Sequence, residues 1–241
     1  MKTERIMGIP VDRITYADIL EDVPNYCKSG EKMTVISVNP QIVVEGQNYP
    51  EIIKFIENST HRIPDGIGIV MVSKILGGKI RERVAGFDLM VKFLEYANEH
   101  HQRVFFYGAK PDVLNDAIKN IRKEYPHLIV TGKIDGYTKL TEEQIIEKIN
   151  AAQTDFLFVA LGFPKQEQWL SKNVEKVQAN VFQDVGGSFD VLSGHVKRAP
   201  QIFIDYHLEW LYRSLSNPKR IGRIFQLPLF VVKSLWWQVK K

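Results

Sequence analysis

Short, almost continuous apolar runs alternate along this chain with stretches whose apolar residues recur every three or four positions. That alternation limits the possible folds more than any other feature. "MTVISV" (33–38), "RVFFYG" (103–108), "HLIVTGKI" (127–134), "DFLFVALG" (155–162) and "ANVFQDVGG" (179–187) have strand length, and "HRIP" (61–64) reads as a short extended piece. Between them, 41–59 (broken near Pro50), 68–76, 87–100, 111–125, 141–152 and 165–177 carry helical spacing. In 87–100, for example, Leu89, Met90, Phe93, Leu94 and Ala97 would share one face. Pro111 suits a first helical turn and Thr141 a helix cap. Strands that are apolar throughout are buried on both faces. The expected fold is therefore α/β: a Rossmann-like, mostly parallel sheet with helices on both sides.

Ligands of such sheets bind beyond the carboxyl ends of the strands. Those ends read "SVNP" (37–40), "PDG" (64–66), "YGAKP" (107–111), "LGFPKQE" (161–167) and "VGGSFD" (185–190). Each is small, polar or glycine-bearing, so together they would form a pocket rich in backbone N–H groups, suited to a phosphate-bearing ligand. The G-x-G-x-x-G and G-x-x-x-x-G-K-[ST] nucleotide motifs are both absent. So is any D-x-D triplet or H-x-x-x-H pair, and metal or cofactor dependence has no support.

Forty-four per cent hydrophobic and 25% charged residues describe an ordinary globular chain. A single cysteine, Cys27, permits no internal disulfide and suits a reducing compartment. The first residues lack the apolar core of a secretory leader, and no window of about 18 uninterrupted apolar residues occurs. Charge is uneven. From Lys197 onward nine basic residues face only Asp205 and Glu209, a net +7, which leaves −3 for the rest of a chain whose total is +4. A basic end on a mildly acidic body predicts an anionic partner: lipid headgroups, phosphates or nucleic acid.

Five segments then occur in order: "PDGIG" (64–68), "RVAGFDL" (83–89), "GFPKQE" (162–167), "VGGSFDVLSGHVKRAP" (185–200) and "LEWLYR" (208–213). Together they resemble the WecG/TagA/CpsF family, glycosyltransferase family 26, over about residues 37 to 223. Within it the chain looks most like the TagA/TarA branch. The resemblance implies transfer of N-acetylmannosamine from a UDP donor to undecaprenyl-diphospho-N-acetylglucosamine, an early step of wall teichoic acid linkage-unit synthesis. It also implies a cytoplasmic protein attached peripherally to the inner membrane face. The implied partners are the UDP-sugar, the polyprenyl-diphosphate acceptor and an anionic membrane surface, with a second copy of the chain possible and nucleic acid not expected.

The family match assigns Asp65 as the base that takes the acceptor's proton. On the residues alone a turn or a helix cap explains it as well. Gly66 and Gly68 would leave room for a sugar. Arg83 would offset charge on the departing diphosphate, with Arg81 close enough to confuse the assignment. Ser37 and Asn39 suit sugar hydroxyls or an acetamido group, although Asn39 before Pro40 is also an ordinary turn residue. Gln166 reads as a sugar or phosphate ligand at a helix start, Gly108 as a nucleotide border, and Gly186, Gly187 and Asp190 as donor site. A bend and a cap explain the last three equally. Asp88 is expected to hold a loop or an arginine, Lys165 to be exposed, and His195 to be structural.

Residues 1–194 are expected to form the catalytic domain and 195–241 a helical membrane-binding appendage. In 217–241, Asn217 and Pro218 should start a helix that Pro228 kinks or divides. Ile221, Ile224, Phe225, Val232, Leu235, Trp236 and Val239 would form its apolar stripe. With flanking basic residues and tryptophans, the stripe suits a helix lying in a membrane interface. A helix docked on the protein's own core, or on a second copy, also fits it. Arg213, Arg220 and Arg223 match family arginines that hold the lipid diphosphate. Two other classes stay open: a nucleotide-dependent enzyme such as a dehydrogenase, and a non-enzymatic membrane adaptor.

Overall fold

The computed structural model describes residues 2–206, 208–215 and 226–239. Its centre is a six-stranded sheet of β3 (Met33–Val38), β4 (His61–Pro64), β5 (Arg103–Gly108), β6 (Ile129–Ile134), β7 (Phe156–Ala160) and β8 (Val181–Asp184), in the order β4-β3-β8-β7-β5-β6. Every pairing in it is parallel. Each residue of β3, β7 and β8 is buried, as continuous apolar strands require.

Helices supply the two covering layers. One core contains Ile42, Ile52, Ile69, Leu157, Trp169 and Phe182. The other, on the opposite sheet face, gathers Leu89, Met90, Phe93, Phe106, Phe158 and Phe189. The helical segment expected at 41–59 divides as its prolines dictate: α2 (Pro40–Glu45), a 3-10 turn (Gly46–Asn48) and α3 (Pro50–Asn58). Next come α4 (Ile67–Ile75), α5 (Gly86–Glu99), α6 (Pro111–Glu124), α7 (Glu142–Ala151) and α8 (Lys165–Asn173). Thr141 closes a capping box with Gln144 at the start of α7.

The N-terminal part has no counterpart in the strand–helix pattern described above. β1 (Thr3–Ile6) and β2 (Ile9–Asp12) form an antiparallel hairpin, and α1 (Tyr16–Ser29) follows behind a Thr15–Asp18 capping box. The hairpin serves the sheet edge. Asp12, fully buried, accepts a hydrogen bond from the Arg62 backbone N–H at 2.8 Å and pairs with the Arg62 guanidinium at 3.1 Å. An otherwise open donor on edge strand β4 is thereby covered.

After β8 come α9 (Ser188–Leu192), α10 (Gln201–Asp205), α11 (Glu209–Leu215) and α12 (Gln226–Val239). Helix α12 has two apolar faces. Phe230 and Ser234 are buried, Phe230 within the core shared with α2 and α4. On the other face Leu229, Val232, Trp236 and Val239, spaced three, four and three apart, are 51–85% exposed. The helix thus docks on the protein's own core by one face, and Leu235 is only half-buried rather than part of an outward stripe. Pro228 lies in its first turn, where no intrahelical N–H bond is lost, and the described helix runs on without division. Asn217, Pro218, Ile221, Ile224 and Phe225 lie outside the described residues.

Candidate active site

Three neighbouring strands bring the expected residues to one edge. β3 ends at Ser37 and Val38, β4 at Pro64, and β8 at Asp184. Asp65 follows β4, its N–H donating to the Val38 carbonyl at 2.9 Å, so the "PDG" turn is tied to the end of β3. Gly66 then starts α4. The Asp65 carboxylate is one-quarter exposed.

A second group approaches from α5. A Cβ on Gly86, the first residue of that helix, would lie 2.7 Å from Ser37 Oγ and 3.5 Å from Asp65 Oδ2. The helix start therefore packs directly against both side chains. Arg83, just before it, places Nε 3.7 Å from Asp65 Oδ1. Its Nη2 donates to Glu209 Oε2 of α11 at 2.8 Å. Burial alone would lower the Arg83 pKa; the Asp65 and Glu209 carboxylates outweigh it and raise the value, so the cation is permanent. Arg81 is exposed, and Arg83 is the one that lies beside Asp65. The Ala85 N–H at the head of α5 donates to Tyr16 Oη at 2.7 Å, and burial raises the pKa of that phenol, keeping it neutral.

Glu209 in turn lies 3.9 Å from Arg198 Nε, and Arg198 donates to Asp88. The expected role of Asp88, holding an arginine, is met by a residue of the C-terminal part. Glu209 and Arg83 thus link α11 to Asp65, and Arg198 extends the network to Asp88.

Gln166 sits deeper. It is 5% exposed, and its four polar contacts are internal. Its Oε1 accepts from Gly162 N at 3.2 Å and Gly186 N at 3.1 Å. Its Nε2 donates to Glu167 Oε1 at 2.9 Å and lies 3.4 Å from Asp184 Oδ2. Asp184 also accepts from Ser37 N at 2.9 Å. In this arrangement Gln166 clamps the turns after β7 and β8.

The other expected residues are less tightly gathered. Asn39 caps α2, its Oδ1 accepting from Ile42 N at 2.9 Å. Asp190 lies in the first turn of α9, near Gly187. Gly108 is at the same edge, four strands from β4, or roughly 19 Å at ordinary strand spacing. A Cβ there would stand 2.2 Å from the Ala160 carbonyl oxygen, so glycine is demanded by the approach of β5 to β7. Gly68 departs from expectation. A Cβ on it would meet Leu227 at 2.5 Å and Phe230 at 3.3 Å; its bareness admits α12, not a sugar. His195 pairs with Asp116 at 2.8 Å, in keeping with a structural role, and Lys165 is exposed. Arg213 lies on α11, where its side chain is not described, and Arg220 and Arg223 lie outside the described residues. Among the described residues no three His, Cys, Asp or Glu side chains come together as metal ligands would.

Tyr16, Glu167, Asp184, Arg198 and Glu209 escaped the sequence reading as site residues. Two of them had a usable sign. Asp184 is an acid ending an apolar strand, and Glu209 is one of two acids in a basic tail.

The sequence profile of the Glycosyl transferase WecG/TagA/CpsF family matches residues 4–241. The chain belongs to that family. Among curated relatives, the N-acetylglucosaminyldiphosphoundecaprenol N-acetyl-beta-D-mannosaminyltransferase of Bacillus spizizenii (strain ATCC 23059 / NRRL B-14472 / W23) is 39% identical over 210 residues, 87% of this chain and 81% of that one. The protein of the same name from Staphylococcus aureus (strain MW2) is 32% identical over 230 residues, 95% and 90% of the two chains. This WecG/TagA/CpsF member is thus a glycosyltransferase, and the carboxyl edge carrying Asp65 and Arg83 is its candidate active site.

Proposed function

We propose that the protein transfers N-acetylmannosamine, with inversion, from UDP-N-acetylmannosamine to undecaprenyl-diphospho-N-acetylglucosamine, the early linkage-unit step of wall teichoic acid synthesis. The observation that carries the mechanism is the Asp65 carboxylate at the β4 end, one-quarter exposed, with Arg83 at 3.7 Å. Asp65 accepts the proton of the acceptor hydroxyl as its oxygen attacks the anomeric carbon from the face opposite the nucleotide. The carbon–oxygen bond to UDP breaks, and Arg83 offsets charge gathering on the diphosphate. Ser37, Asn39, Gly66, Gly108, Gly186, Gly187 and Asp190 border the donor, with Gln166 holding the turns that carry part of it.

Residues 195–241 act as an appendage that brings the enzyme to its lipid-linked acceptor at the cytoplasmic membrane face. The exposed Leu229, Val232, Trp236 and Val239 face of α12, beside a basic excess, supports this reading. Among the described residues no helix is long and apolar enough to cross a membrane. Arg213, Arg220 and Arg223 hold the acceptor diphosphate.

A panel of UDP-sugars offered with a short-chain lipid-diphosphate-N-acetylglucosamine analogue tests the reading. UDP-N-acetylmannosamine should yield disaccharide. D65N should lower kcat at least about 100-fold, the usual contribution of a positioned base. A fully active D65N, or product only from another donor, would overturn it.

A further inference from the structure

Behind Gln166 lie two acids for which the transfer mechanism has no use. Glu167, in the first turn of α8, is 0% exposed, and its Oε2 has no hydrogen-bond partner. Asp184, ending β8, is 2% exposed. One nitrogen, Gln166 Nε2, stands 2.9 Å from Glu167 Oε1 and 3.4 Å from Asp184 Oδ2. The two carboxyls therefore face a common donor. Around them stand the Ser37 backbone and hydroxyl from β3, Asp65 from the β4 end and Gln166 from α8 itself. Among the described residues no Lys, Arg or His is hydrogen-bonded or ion-paired to either acid.

Two bare carboxylates enclosed without a cation repel strongly, and such pairs retain a proton between them. Burial raises the pKa of both, and for Asp184 the charge of Glu167 raises it further. The proton belongs to the pair rather than to one member. Gln166 cannot be reversed to escape the arrangement, because its oxygen already accepts from Gly162 N and Gly186 N.

We propose that Asp184 and Glu167 are positioning residues: a buried carboxyl pair sharing one proton that orients the Gln166 amide and Ser37, and through them the two turns on the donor side of the site. Loss of the shared proton leaves two anions on one amide. They separate, Gln166 swings free, and the backbone groups of Gly162 and Gly186 lose their common acceptor. The device holds the donor pocket closed below a limiting pH and loosens it above.

The inference rests on the transferase reading, and the experiment separates the two. The KM for the UDP-sugar and kcat are measured against pH for wild type, E167Q and D184N. Wild-type donor KM should rise about tenfold on the alkaline limb, the effect of releasing one hydrogen-bonded clamp, with kcat changed far less. E167Q and D184N, which have no second proton to lose, should flatten that rise. In parallel, infrared spectra of wild type at neutral pH should contain a protonated-carboxyl band, which the double variant E167Q/D184N removes. A wild type that turns over no UDP-sugar defeats the transferase reading and leaves the infrared test standing. An unchanged alkaline rise of KM in E167Q defeats the pair. So does a wild-type spectrum without the band, whether or not either variant folds.

Discussion

His61 and the Asp184–Glu167 pair push stability in opposite directions with pH. His61 is fully buried, its Nε2 3.2 Å from Asp22 and its Nδ1 2.8 Å from Thr60 Oγ1. Burial lowers its pKa despite Asp22, so the folded chain keeps the ring neutral while the unfolded chain protonates near about pH 6.5. Its contribution is complete above that value and is lost as pH falls below it. The carboxyl pair has raised values, so its contribution is complete below the ordinary carboxyl range and is lost as pH rises through the folded value. Melting temperature should therefore fall on both flanks. H61Q should be less stable at neutral pH by about 1–3 kcal/mol, for the hydrogen bonds left unmade, yet lose less on acidification. Equal acid slopes in H61Q and wild type, read by calorimetry, would assign the acid limb to other groups.

Among the elements, α12 separates what patterning can reveal from what only packing can. Its apolar residues were visible as helical, but they are numerous enough to supply two faces, and periodicity does not say which one docks. The choice is made by Gly68 on α4, whose missing side chain admits Leu227 and Phe230. F230A should cost about 3–5 kcal/mol by emptying that seat, measured by chemical denaturation. A change under about 1 kcal/mol would mean that α12 is not anchored there. The hairpin β1–β2 was hidden for a different reason. Its turn, Met7–Gly8, has positive φ at both residues (48° and 87°), a geometry usually announced by Asn-Gly. The sheet, in contrast, was legible strand by strand, since burial on both faces leaves strands apolar throughout. Asp65, Arg83 and Ser37 could be read as candidates because strand ends collect ligands and the family motifs fall there. Arg198 could not, because its contact to Asp88 spans 110 residues, and Glu209 offered only its acidity in a basic tail, its contact to Arg83 lying 126 residues away.

For the whole molecule, charge and shape act together. The body is mildly acidic and the C-terminal part basic, and α12 presents Leu229, Val232, Trp236 and Val239 outward. Sedimentation with vesicles should require anionic lipid and weaken as salt rises toward a Debye length of about 8 Å or less. Replacing Val232 and Trp236 by serine should reduce binding while leaving donor turnover with a soluble acceptor analogue intact. Salt-independent binding, or no loss in the double variant, would move the contact elsewhere.

The pairing of β3 with β8 has a consequence for the life of the chain on the ribosome. β3 begins at Met33, and its inner neighbour begins only at Val181. Until those later residues emerge from the exit tunnel, the early strands have an unpaired inner edge, and Ser37 has no Asp184 to bind. Such distant parallel pairings form slowly. The nascent chain thus exposes this edge through most of its synthesis, a period in which chaperones rather than its own sheet must shield it.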